Sequence, residues 1–209
     1  MNDNIKKSIN SIFSDDSFNK LLLNSISLLK LTRRRKWGLC LFWVLLLVVY
    51  MSVFINHIDA IKSTKDIIGN VQSILISLFA IVITGYAIFQ ALTNGKTLIA
   101  MLKTNAENMS KFQEYNYFFF SISVLYLFII ILNFVMSIFL NNIPDNWSLS
   151  FLDKKINDIF YSVLMSLYIV FILNALIEMK SFIYNLYQLF STHAVASAIQ
   201  QIEKEKAPK

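Results

Sequence analysis

Four stretches of this sequence contain no charged residue, and each is long enough to cross a bilayer as a helix. They run from Trp37 to about Ile55, from Val71 to Leu92, from about Phe118 to Leu140 and from about Ile159 to Ile177. About 20 residues at 1.5 Å rise span the ~30 Å hydrocarbon layer. An Asp, Lys or Arg at mid-helix costs on the order of 3 kcal/mol on insertion. A water-facing helix, by contrast, needs such residues every few positions on its outer face. The pattern predicts an all-α, polytopic membrane protein with four transmembrane helices. A cleaved signal does not explain the first block, which starts 36 residues in, is too long for an h-region and lacks a small-residue cleavage pattern. Trp37, Trp43, Tyr50, Tyr115, Tyr117 and Trp147 fall in or near the block ends, where aromatic residues favour the membrane interface.

Lys and Arg set the expected orientation. Residues 1–36 carry eight, the 93–117 connection three and residues 178–209 four, whereas the other two connections carry two each. By the positive-inside rule both termini and the middle connection face the cytoplasm. Three regions follow: a cytoplasmic or interfacial segment over 1–36, a four-helix transmembrane domain over 37–177, and a cytoplasmic helical tail over 178–209.

The polar regions are patterned too. Asp16–Leu31 places Phe18, Leu21, Leu22, Ile26 and Leu29 at helical spacing, with Ser14-Asp15 available as an N-cap. Such a helix lies along the membrane surface or offers a docking face. The connection from Thr93 to Asn116 has no proline and only Gly95, so the second and third helices are expected to project as a helical hairpin. Phe182, Ile183, Leu186, Leu189 and Phe190 recur between polar positions, which predicts that the fourth helix continues to about Glu203, with a frayed end. Asn141, Asn142, Pro144, Asp145 and Asn146 form a turn cluster that ends the third helix. The sequon Asn146-Trp147-Ser148 matters only in a secretory pathway.

Composition agrees with this reading: 56% of the 209 residues are apolar and only 15% are charged. Much of the +6 net charge sits in Arg33, Arg34, Arg35 and Lys36, directly before the first block. There it is expected to contact anionic lipid headgroups, at about 1 kcal/mol per charge. No basic-aromatic groove accompanies it, so direct nucleic-acid binding is not expected. The single cysteine, Cys40, excludes an internal disulfide and a cysteine-based zinc site, and His57 and His193 lack a second ligand at helical spacing. No phosphate loop, nucleophile turn or histidine pair occurs. No enzyme, metal or cofactor is expected. The spans also lack the ionisable residues that proton relays and coupled carriers use.

Two polar patterns remain. Ser73, Ser77, Ala80, Thr84, Ala87 and Ala91 follow spacings of 4, 3, 4, 3 and 4, which puts them on one stripe of the second helix, with Gly85 beside it. Small residues permit close helix approach, so the stripe packs within the chain, packs against a second copy, or lines a pore. Asn174, Glu178, Ser181 and Asn185 form a second series. Asn133 and Asn174 are expected to bond across helices, because an unpaired amide in lipid is costly. Glu178 has Lys180 or a basic residue of another subunit as candidate partners.

The amphipathic start, the Arg33-Arg34-Arg35-Lys36 cluster, four spans with short outer loops and a helical tail resemble small four-pass bacterial membrane subunits of anti-phage systems, of the type of the Kiwa membrane component. The resemblance implies an inner-membrane sensor that oligomerises and binds a cytoplasmic, nucleic-acid-directed partner. It assigns no role to individual residues. The expected function is therefore a sensor or scaffold subunit that recruits a cytoplasmic protein. A small oligomeric pore is the alternative.

Overall fold

The computed structural model describes residues 10, 12, 17–57, 60–103, 105–106, 109–145 and 147–206, without the side chains of 53–57, 60, 105, 106 and 206. In these residues the chain forms helices α1 (Phe18–Ile26), α2 (Arg33–His57), α3 (Ala60–Leu92), α4 (Gly95–Lys103), α5 (Lys111–Asn141) and α6 (Lys154–Lys206). A 3-10 turn over Ser27–Leu29 follows α1. A ladder of strands β1 (Asn105–Ala106) and β2 (Met109–Ser110) pairs Asn105 with Ser110 and Ala106 with Met109. Four helices are long and apolar enough to cross a membrane, in α2, α3, α5 and α6.

Polar side chains cap the starts of α1, α2 and α5, and these starts lie outside the apolar blocks. Thr32 caps α2: its Oγ1 accepts from Arg35 N at 3.3 Å and its carbonyl from Lys36 N at 3.0 Å. The basic cluster is therefore the first turn of α2 and not a flank before it. Ser17 caps α1, while the expected Ser14-Asp15 cap lies outside the described residues, as does Asn146 of the sequon. Ser110 Oγ accepts from Gln113 N at the start of α5, and the Asp153 carbonyl accepts from Ile156 and Asn157 N at the start of α6.

Of the helical hairpin expected between Thr93 and Asn116 only one arm forms: α5 starts at Lys111, seven residues before Phe118, whereas α3 stops at Leu92. Thr93 Oγ1 donates to the Phe89 carbonyl at 2.7 Å, and Asn94 Nδ2 donates to that of Ala91 at 3.0 Å, which satisfies the last carbonyls of α3. Gly95 then takes φ +48°, a conformation that costs other residues a Cβ clash. A separate short helix and the two-residue ladder fill the connection. The turn cluster at Asn141–Asp145 does end α5, where Asn142 Nδ2 donates to the Ile138 carbonyl at 2.7 Å.

The chain divides into two compact units. One comprises Met1–Lys30, Ala80–Val124 and Met179–Lys209, and the other Leu31–Phe79 and Leu125–Glu178. In the second, Ile68 and Leu75 of α3, Tyr126, Ile129 and Asn133 of α5, and Ser162, Met165, Ile172 and Ala175 of α6 are buried. Such positions recur three, four or seven apart, the spacing of helices that pack side by side. The first unit continues this spacing with Val82 and Phe89, Phe119 and Ile122, and Phe182, Leu189 and Ala196. Its centre is aromatic. The Phe119 ring lies edge-on to Phe182 at 5.6 Å and tilted against Phe89 at 5.2 Å, contacts of about 0.5–1.5 kcal/mol each. Gly85 belongs to this core and not beside the small-residue stripe. A Cβ added there would overlap the Phe182 ring.

Candidate functional site

The charged part of the second unit is a clasp between the first turn of α2 and α6. Successive turns of α2 bring Arg35, Leu39, Phe42, Leu46 and Tyr50 onto its packed face, and this turns one of the four basic side chains inward. Arg35 Nη1 donates to Glu178 Oε1 at 2.5 Å, and Nη2 donates to the Asn174 carbonyl at 2.7 Å. Glu178 is 5% exposed. One helical turn separates the two acceptors, so a planar guanidinium reaches both. Tyr126 Oη donates to the next carbonyl, that of Ala175, at 3.0 Å. Two consecutive carbonyls of α6 thus each take a side-chain donor in addition to their place in the helix.

This arrangement corrects two sequence-based expectations. Arg35 is an internal partner and not a headgroup contact, whereas Arg33, Arg34 and Lys36 are exposed. Glu178 pairs within its own chain, and not with Lys180 or another subunit. The physical reason is desolvation: a carboxylate this buried needs a charge beside it, and Arg35 is the cation that α2 presents to α6.

The two asparagines differ. Asn133 is fully buried and bonds across helices as expected, accepting from Tyr168 Oη at 3.0 Å. Asn174 does so through its backbone; among the described residues its side-chain Oδ1 is buried without a partner, as are Asn133 Nδ2 and Arg35 Nε. Ser181 and Asn185, the rest of the polar series, are half-buried in the other unit.

All six stripe residues, Ser73, Ser77, Ala80, Thr84, Ala87 and Ala91, are exposed. At 100° per residue they lie about 180° round α3 from the buried positions Ile68, Leu75, Val82 and Phe89. Their hydroxyls are satisfied within the helix: Ser73 Oγ donates to the Gly69 carbonyl, Ser77 Oγ to that of Ser73 and Thr84 Oγ1 to that of Ala80, at 2.8–3.2 Å. Of the three readings, packing within the chain is the one this placement removes.

Sequence reasoning missed several long-range polar contacts. Trp43 Nε1 donates to Ser166 Oγ at 3.0 Å, Thr64 Oγ1 to Tyr161 Oη at 2.9 Å, and Lys65 Nζ to Asp145 Oδ1 at 2.7 Å. In the other unit, Thr97 Oγ1 and His193 Nδ1 lie 3.1 Å apart, and Lys96 pairs with Glu203. A serine or lysine inside or just beside an apolar block is the signal that marks such positions, but it does not name the partner.

What the fold and the clasp define is a class: a predominantly helical chain with, among the described residues, four helices of membrane-crossing length and apolarity, two of which, α2 and α6, are tied by a buried ion pair. Compared with known protein families, curated proteins and solved structures, the chain matches none.

Proposed function

We propose that the chain is a four-pass protein of a bacterial inner membrane, with both termini in the cytoplasm, that acts as a non-enzymatic sensor or scaffold. It assembles with further copies through the α3 stripe and recruits a cytoplasmic protein through the tail of α6. Arg33, Arg34 and Lys36 meet anionic headgroups, and Arg35 ties α2 to α6. On the resemblance of plan, the setting is anti-phage defence.

The observation that carries this reading is a second apolar face on α6 beyond Ile177. Phe182, Leu189 and Ala196 are buried, yet Tyr184, Val195 and Ile202, roughly 130° round the helix, are 61%, 60% and 51% exposed. Tyr187 and Ile199 add to this exposed surface. Ile202 lies 25 residues beyond Ile177, where the fourth uncharged block ends, and in the proposed topology this part of α6 is cytoplasmic. An apolar stripe this long in water marks an interaction surface.

The test is co-purification in mild detergent, with and without the gene's chromosomal neighbours. A neighbour-encoded protein retained by the wild type and lost in Val195→Glu/Ile202→Glu supports the proposal. A monomer that holds no neighbour, or a partner indifferent to both substitutions, refutes it.

A further inference from the structure

The second unit holds a cavity of about 320 Å³ that neither the clasp nor the α6 tail uses. It lies among the start of α3, the end of α5, the α5–α6 connection and the start of α6. Its size is at the lower end for small-molecule sites. Ile61, Met136, Leu140 and Leu164 supply apolar wall, in which methionine adapts to the shape of a flexible chain. Part of the wall is held in place by Asn157. Its Nδ2 donates to the Leu149 and Leu152 carbonyls, both at 3.1 Å, and its Oδ1 accepts from Leu149 N at 3.2 Å.

Among the described residues, the one charged residue in the lining is Asp158. Among the described residues no cation pairs with it, even though Lys154 and Lys155 lie one turn earlier on α6. The lysine at this end that does find a partner, Lys65, is taken by Asp145. Tyr161 follows Asp158 by three positions and so stands beside it on the same helix face, and Trp147 and Phe160 also line the cavity. A carboxylate next to aromatic rings attracts a cation by charge and by the ring quadrupoles. An anionic ligand would be repelled there, and a neutral one would gain nothing from the charge of the half-buried carboxylate.

From this charge complementarity we infer that the cavity binds an amphiphile with one cationic head, an alkylammonium, with the head on Asp158 and the chain along the apolar wall. The inference does not rest on partner recruitment or on the α3 stripe.

Binding of radiolabelled decyltrimethylammonium to the full chain in zwitterionic-lipid nanodiscs tests it, with decyl sulfate as the probe of opposite charge and empty discs as background. The expected result is saturable ammonium binding, an affinity about tenfold lower in Asp158→Asn, and no saturable sulfate binding. Leu140→Trp, which fills the cavity and keeps the carboxylate, should abolish binding. Helicity and elution volume report whether each variant is folded, and the comparison of the two probes on the wild type decides the matter even if a variant is not. Equal binding of ammonium and sulfate, no saturable binding above empty discs, or unchanged affinity in a folded Asp158→Asn would overturn the inference.

Discussion

Breaking the Arg35–Glu178 clasp from its two sides should have unequal consequences. The Glu178 side chain is 7% exposed and that of Arg35 20%. Replacing Arg35 by Met strands a buried carboxylate and removes the extra donor from the Asn174 carbonyl, a cost of about 3 kcal/mol. Replacing Glu178 by Leu leaves a guanidinium that can swing toward water on its apolar stem, so this cost is smaller, about 1–2 kcal/mol. The double replacement removes both charges and substitutes apolar volume, which for buried pairs is close to neutral, within about 1 kcal/mol of wild type. The single costs should therefore fail to add, with a coupling of about 4 kcal/mol between the two positions, the sum of the single costs less that of the double replacement. Equilibrium unfolding in mixed micelles, followed by tertiary-structure fluorescence for the four members of the cycle, measures this. Additive single effects, or Glu178→Leu costing more than Arg35→Met, would refute the reasoning.

Gly85→Leu forces side-chain atoms into the Phe182 ring and should destabilise the aromatic unit by about 1–3 kcal/mol, with partial recovery in Gly85→Leu/Phe182→Ala; thermal unfolding of the single and double variants checks it. Ser77→Ala and Thr84→Val remove exposed hydroxyls that, among the described residues, bond to their own helix, so the stability of the monomer should change by no more than about 0.5 kcal/mol. Ala80→Trp/Ala87→Trp should instead abolish chemical cross-linking between copies in membranes, and unchanged cross-linking would count against assembly through α3.

The apolar blocks of the sequence located four helices because a run of this length without a single charge has no face fit for water. Their ends were less legible. α6 runs on to Lys206, close to the end expected near Glu203, but α2 starts at Arg33 and α5 at Lys111, ahead of their uncharged blocks, because Thr32 and Ser110 cap them there and a cap does not register in hydropathy. The break after α3 depends on Asn94 and the left-handed Gly95, a two-residue signal easily outweighed by the helical composition around it. The small residues of α3 were legible as a stripe, but which face of a helix is buried depends on its neighbours. The buried face was equally periodic, at Ile68, Leu75, Val82 and Phe89. Pairing was the least accessible: Arg35 and Glu178 lie 143 positions apart, and one arginine among four adjacent cations has no distinguishing mark in the sequence. The helical periodicity of α2 singles it out once the packed face is known.

Four crossings with both ends inside are tested most directly by labelling single cysteines in intact cells with a membrane-impermeant maleimide. In a Cys40→Ala background, cysteines placed at Asp145, Asn94 and Lys204 report the last outer connection, the middle connection and the tail. Position 145 should react in intact cells, and 94 and 204 only after lysis. Reaction at 94 or 204 in intact cells, or protection of 145, would contradict the topology.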